Sequence, residues 1–177
     1  MTTPTVMVNG EQRSVVNVEP YVTALDWLRD QGFTGAKEGC AEGECGACSV
    51  LVARPDGADR TRWTALNACL VPVLSLDGQE LVTAEGLGTP GALHPVQREM
   101  AYRGGSQCGY CTPGFIMAGV YLLQENPNPT DDEIRKGLEG NLCRCTGYVN
   151  IIKSVKDAAQ KMGAKQSAGT PVTAGGD

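Results

Sequence analysis

Three cysteines, Cys40, Cys45 and Cys48, stand in one short glycine-rich stretch with the spacing C-x4-C-x2-C, and Cys69 follows in a separate segment. This spacing is typical of a [2Fe–2S] cluster, because two irons that share two sulfides need four thiolates directed at one small volume. Glycines at 39, 43 and 46 allow a sharp turn and leave backbone N–H groups free to point at the sulfurs. The chain must therefore fold so that a tight loop and a distant segment meet.

Four further cysteines form a second group later in the chain. Cys108 and Cys111 have the spacing C-x2-C, and Cys143 and Cys145 have the spacing C-x-C. The sequence contains eight cysteines, so two groups of four leave none over. The sequence thus predicts two separate metal–thiolate centres.

Zinc is the alternative to iron at both groups. Structural zinc sites usually take their ligands from two separated pairs of residues. The first group has three cysteines in one loop and a distant fourth, and this arrangement favours iron. The second group consists of two separated pairs, so its spacing alone leaves zinc open.

Composition and charge exclude some functions. The formal net charge is −5 over 177 residues, and the basic residues are scattered, which argues against nucleic-acid binding. His94 is the one histidine, and no Ser–His–Asp or Cys–His grouping is present. We therefore expect the chain to perform no bond-making chemistry of its own. Its acidic character fits a protein that docks with other proteins.

The N-terminal segment has neither a basic region nor an apolar core, and no apolar run approaches the length of a membrane span. These features predict no signal peptide, no membrane span and a cytoplasmic location. In a reducing cytosol, eight cysteines are better explained as metal ligands than as disulfides.

The first half of the chain has the pattern of a small mixed sheet crossed by one helix. Asn9-Gly10 is a hairpin signal, and Thr23 and Gly32 are the expected start and stop of the helix. The predicted helix covers residues 23–31, and the predicted strands cover 5–9, 14–18, 47–53, 62–66 and 80–83.

The glycine- and proline-rich segment 86–91 is the best candidate for a domain boundary. Beyond it the pattern becomes helical. Predicted helices cover residues 95–102, 113–125, 130–138 and 150–162. The sequence therefore predicts three regions: a first domain over 1–85, a helical domain over 86–163 and a disordered tail over 164–177.

Both cysteine groups resemble those of the iron–sulfur subunit or domain of the molybdenum hydroxylases, the xanthine dehydrogenase and aldehyde oxidase family. The resemblance extends from about residue 6 to about residue 162. The matching segments are 35–40, 43–48, 67–70, 93–97, 106–115 and 140–148. The second group is the more specific part, because plain ferredoxins lack it. The resemblance implies an α+β chain: a β-grasp, plant-type ferredoxin domain followed by a four-helix [2Fe–2S] domain.

The same resemblance implies a function and a set of partners. All eight cysteines would ligate two [2Fe–2S] clusters that relay single electrons from molybdopterin to FAD. In this family the counterpart of Gln107 hydrogen-bonds the molybdopterin, and Cys145 lies near it. The chain has no molybdopterin domain and no GxGxxG fingerprint, so both cofactors are expected on partner subunits, in a dimer of heterotrimers. The segments 42–45 and 93–97 favour the xanthine dehydrogenase branch and a purine substrate over an aldehyde or N-heterocycle.

Several other residues have both a functional and a structural interpretation. His94 precedes a predicted helix and is expected to cap or pack there. Tyr110 could shield its cluster, but packing is the simpler interpretation. Trp27 and Trp63 are expected in the core. Arg144 lies between two cysteines, where a cation would offset cluster charge or reach a partner.

Overall fold

The structure is a computed structural model that describes residues 3–57 and 60–166. This part contains a mixed sheet and five α-helices, four of them in the later half, so the α+β prediction is confirmed. The strands are β1 (Thr5–Val8), β2 (Glu11–Ser14), β3 (Ser49–Pro55), β4 (Thr61–Asn67) and β5 (Glu80–Val82). The helices are α1 (Ala24–Asp30), α2 (Pro95–Tyr102), α3 (Thr112–Glu125), α4 (Asp131–Gly137) and α5 (Val149–Gln166). Short 3-10 turns cover Ala68–Leu70, Val73–Leu76 and Ala84–Leu87.

The first hairpin turns at Asn9 and Gly10, as predicted. Both residues have positive φ, 53° and 84°, which a tight two-residue turn requires. The prediction that the returning strand covers 14–18 is wrong, because this turn pairs Val8 directly with Glu11. β2 lies at the edge of the sheet and is mostly exposed, so its sequence is polar and gives no strand signal.

Helix starts follow the predicted caps. The side chain of Thr23 accepts a hydrogen bond from the backbone N–H of Asp26 at the start of α1, and Thr130 forms a capping box with Glu133 at the start of α4. α5 extends to Gln166, into the region predicted as a tail, and the rest of that tail lies outside the described residues. Within the described part, none of the helices combines the length and apolar character needed to cross a membrane.

The sheet has the strand order β2-β1-β5-β3-β4. β1 and β5 are parallel, whereas the other neighbouring strands are antiparallel, so the sheet is mixed, as predicted. β3 alternates between two hydrophobic cores: Val50 and Val52 pack with α1 on one face, and Leu51 packs with the later helices on the other. The helical half therefore covers the second face of the sheet. The division at residues 85 and 86 stays a prediction.

The prediction that both tryptophans are core residues is confirmed for Trp27, whereas Trp63 is only half-buried. Trp27 lies in the core with α1, whereas Trp63 packs against the core of the helical half. In that second core, α3 buries a nearly continuous run of side chains, among them Phe115 and Met117. Full burial of a side chain of this size contributes about 2–3 kcal/mol, so the contact between sheet and helices is a main source of stability.

One buried carboxylate ties α2 to α5. The Glu99 side chain is 1% exposed and forms ion pairs with Lys161 and with Arg98, while Arg103 lies slightly farther away. Burial alone would raise the pKa of Glu99, but Lys161 and Arg98 outweigh this effect and lower it. The charge is thus compensated inside the helical half.

Candidate metal centres

The first cysteine group forms where a loop meets the end of a strand pair. Cys40, Cys45 and Cys48 lie between α1 and β3, and Cys69 lies in the 3-10 turn that follows β4. Ser49 of β3 pairs with Asn67 of β4. This pairing brings Cys48, which precedes Ser49, next to Cys69, which follows Asn67, and their Sγ atoms are 3.4 Å apart. The strand register thus brings the distant fourth thiol to the loop.

Glycines shape the loop for two different reasons. Gly43 and Gly46 have positive φ, 84° and 67°, so conformation requires them. Gly39 has no such φ, but a Cβ there would lie 2.7 Å from Cys45 Sγ, so space requires it. The side chain of Asn67 also donates a 2.7 Å hydrogen bond to the carbonyl of Gly43 and fixes the turn.

Backbone N–H groups point at the first group's sulfur, as predicted. The N–H of Cys45 donates to Cys40 Sγ over 3.4 Å. Backbone hydrogen bonds from Glu42 and Cys45 lower the pKa of Cys40 to about 7. Burial instead raises the pKa of Cys48 to about 12, so a metal cation is needed to hold this buried sulfur as a thiolate.

The second group forms at the ends of three helices. Cys111 directly precedes α3, Cys108 lies in the loop between α2 and α3, and Cys143 and Cys145 lie between α4 and α5. Burial, together with the neighbouring Cys143, raises the pKa of Cys111 to about 12. The neighbouring Cys108 raises the pKa of Cys145. Cys111 thus lies close to Cys143, and Cys145 lies close to Cys108.

Thr146 stabilises one thiolate of the second group. Its hydroxyl and its backbone N–H donate to Cys143 Sγ over 3.1 and 3.5 Å. Burial alone would raise the pKa of Cys143, but these donors lower it to about 7. The hydroxyl of Tyr148 accepts a hydrogen bond from the N–H of Cys143 at 2.9 Å. The ring of Tyr148 packs edge-on against Phe115, and these two contacts hold the loop against α3.

The two groups are adjacent. A cavity of about 200 Å³ is lined by Cys45 of the first group and by all four cysteines of the second.

All eight cysteines are free of disulfides. Among the described residues, no three His, Cys, Asp or Glu side chains converge on one point as the ligands of a single ion would. Cys48 instead lies against Cys69, and in the second group Cys111 is close to Cys143 and Cys145 to Cys108. A pair of thiolates per iron is what a [2Fe–2S] core requires. The donor set therefore fits two such clusters.

The other residues that the sequence singled out have clear positions. His94 caps α2: its Nδ1 accepts the N–H of Val96 at 3.2 Å, and burial lowers its pKa. The structural interpretation of His94 is thus confirmed. Gln107 is exposed beside Cys108, and Arg144 is exposed at the edge of the cavity.

Sequence reasoning missed the contact between the two cysteine loops. The hydroxyl of Tyr110 donates to the carbonyl of Glu38, next to the first group. The buried side chain of Asn141 donates to the carbonyl of Gly46, and Gly114 packs directly on that carbonyl. No periodicity or spacing marks these residues, because their roles depend on how the two halves of the chain meet.

Comparisons with known proteins agree with this geometry. A family model described as "2Fe-2S iron-sulfur cluster binding domain" matches residues 6–74, and one described as "[2Fe-2S] binding domain" matches residues 83–156. The chain thus consists of two [2Fe–2S]-binding domains, one for each cysteine group.

Relatives are found among both sequences and solved structures. Xanthine dehydrogenase 1 of Arabidopsis thaliana is 47% identical over 152 residues, which are 84% of this chain and 11% of the relative. Aldehyde oxidoreductase of Desulfovibrio gigas has a TM-score of 0.82 at 38% identity, over 93% of this chain and 18% of that one. A chain of quinoline 2-oxidoreductase from Pseudomonas putida 86 has a TM-score of 0.80 at 36% identity, over 93% of this chain and 96% of that one.

These matches show that the chain is an iron–sulfur protein of the class found in oxidoreductases. The chain belongs to the [2Fe–2S] family of the molybdenum hydroxylases, because it covers nearly the whole of one solved chain and both of its domains match. It spans about a tenth of the length of the xanthine dehydrogenases that it matches, 11% in the Arabidopsis protein.

Proposed function

We propose that this chain is the electron-transfer subunit of a molybdenum-containing hydroxylase and relays single electrons from a molybdopterin site to FAD on partner chains. When bound, a [2Fe–2S] cluster accepts and releases one electron at a time. The observation that carries the proposal is the sorting of eight thiols into two adjacent groups of four. In the first group Cys48 lies against Cys69, and in the second Cys111 lies close to Cys143 and Cys145 close to Cys108. Two such centres side by side suit a relay better than storage or structural support.

The chain's own residues hold the clusters and stabilise their charge. The proposed ligands are Cys40, Cys45, Cys48 and Cys69 for one cluster and Cys108, Cys111, Cys143 and Cys145 for the other. N–H and O–H donors directed at Cys40 and Cys143 support the negative charge that four thiolates bring. The β-grasp fold expected for the first domain and the four-helix fold expected for the second would hold the cysteine loops in place.

The exposed side of the second group is the proposed contact with the molybdopterin subunit. Cys108, Cys145 and Gln107 are all exposed there, and we assign Gln107 and Cys145 to contacts with the cofactor. The first group would then face the FAD subunit, in a dimer of heterotrimers. The proposed location is the cytoplasm, where thiols stay reduced.

The proposed substrate is a purine such as xanthine. Relatives named xanthine dehydrogenase support this choice. An aldehyde or an N-heterocycle is the second candidate, because solved structures of similar fold are named aldehyde oxidoreductase and quinoline 2-oxidoreductase. The role of this chain is the same in each case.

Native purification tests the assembly. We expect the chain to elute with a molybdenum-containing chain and a flavin-containing chain, because its exposed second group needs a covering partner. Elution of the iron-loaded chain alone, as a free carrier, would contradict the proposal.

Gln107→Ala tests the proposed contact within that complex. We expect slower reduction of the clusters by substrate with unchanged iron content, measured by stopped-flow absorbance. Gln124→Ala is the matched control, because Gln124 is an exposed glutamine near the far end of α3. Equal rates in the two variants would remove the role of Gln107.

A further inference from the structure

The carbonyl of Gly46 is a junction between the two cysteine loops. It accepts three hydrogen bonds: from the N–H of Ser49 at 3.1 Å, from the hydroxyl of Ser49 at 2.7 Å and from Nδ2 of Asn141 at 3.0 Å. The two Ser49 bonds are local, whereas the Asn141 bond joins the first loop to the loop that carries Cys143 and Cys145. Only one of the three donors therefore crosses between the halves of the chain.

A second bond runs beside the first. The backbone N–H of Leu142 donates to the carbonyl of Cys45 at 3.0 Å. Two consecutive residues of the later loop, Asn141 and Leu142, thus donate hydrogen bonds to two consecutive carbonyls of the first loop. Cys45 belongs to the first thiol group, and Cys143, which follows Leu142, belongs to the second. The double contact therefore joins the loops that carry the two groups.

The packing around the Asn141 amide leaves little freedom. Asn141 is 5% exposed. A Cβ on Gly46 would lie 2.3 Å from Nδ2 of Asn141, and a Cβ on Gly114 would lie 3.0 Å from it. Two glycines thus make room for this one side chain. A buried amide is costly unless it is hydrogen-bonded, so the contact with Gly46 is strongly specified.

We propose that Asn141 is a positioning residue that fixes the first cysteine loop against the second and thereby sets the spacing of the two clusters. The hydroxyl of Tyr110, which donates to the Glu38 carbonyl, also joins the first loop to the helical half. The inference rests on the proposed function, because it concerns the clusters that the function requires. It adds a side chain that is not among the proposed ligands and acts through the Gly46 carbonyl.

Asn141→Leu in the full-length, iron-loaded protein tests this inference, because leucine keeps a similar shape and removes the donor. Ser49→Ala is the matched control, since it removes another donor to the same carbonyl without touching the contact between the loops. Asn141→Asp, which has the same shape and lacks the NH₂ donor, replaces Asn141→Leu if that variant does not fold. The measurements are the spin–spin interaction of the two reduced clusters by EPR and the rate of iron release to a chelator.

We expect a weaker spin–spin interaction in Asn141→Leu and iron release from the first group about tenfold faster, as loss of one buried hydrogen bond implies. Ser49→Ala should retain the spin–spin interaction of the wild type. An unchanged interaction in the Asn141 variants, or an equal loss in Ser49→Ala, overturns the inference. If the wild-type protein holds no iron, the proposed function itself fails, so the two failures are distinguishable.

Discussion

Cys45→Ser should abolish the first cluster and leave the second in place, so that the iron content falls to about half. A serine hydroxyl is a harder and far less acidic ligand than a thiol, so it does not replace a thiolate on iron. The bond from the Leu142 N–H to the carbonyl of residue 45 involves only backbone atoms and persists in the variant. The second loop should therefore keep its position.

Iron analysis and EPR of the reduced protein measure this effect. We expect one of two signals to disappear in Cys45→Ser, and the other to disappear in the matched variant Cys108→Ser. In the assembled complex, Cys45→Ser should still allow a single turnover of substrate, because the second cluster remains next to the proposed molybdenum site. Loss of both signals in either variant contradicts two independent centres.

Gly114→Ala should destabilise the protein by about 3 kcal/mol, the upper range for overpacking at a buried site. A methyl group at this position would lie 2.2 Å from the Gly46 carbonyl oxygen and 3.0 Å from Nδ2 of Asn141. The first of these atoms belongs to backbone that three hydrogen bonds hold in place. Since it cannot move away, α3 must shift from the first loop.

Thermal unfolding of the iron-loaded protein measures this loss. Gly140→Ala is the control, because a Cβ there meets no atom within 4 Å and the φ of this residue lies outside the left-handed region. We expect a clear fall in Tm for Gly114→Ala and little change for Gly140→Ala. Equal stability of the two variants would show that the contact between the halves is looser than the structure indicates.

Features that depend on local chemistry were predictable from the sequence. Thr23 and Thr130 mark helix starts because their side chains bond to N–H groups three residues on. The Asn9-Gly10 turn and the cysteine groups likewise depend on short spacings. These signals were sufficient for the mixed sheet and the helices, whereas the two ligand sets stay a prediction.

Features that depend on the meeting of distant segments were not predictable. β2 is an exposed, polar edge strand, so it gave no strand signal. The apolar residues that follow it in the sequence were wrongly predicted as the strand. Asn141 is a loop asparagine in the sequence, and only its bond to Gly46, 95 residues away, reveals its role. The same holds for Gly114, whose lack of a side chain matters because Gly46 lies against it.

Iron and acid-labile sulfide analysis of protein purified without oxygen tests the central claim most directly, together with EPR after reduction. We predict about four irons and about four sulfides per chain and two distinct EPR signals, one for each thiol group. A colourless protein that contains zinc and no sulfide, or a protein with a single cluster, would contradict the account.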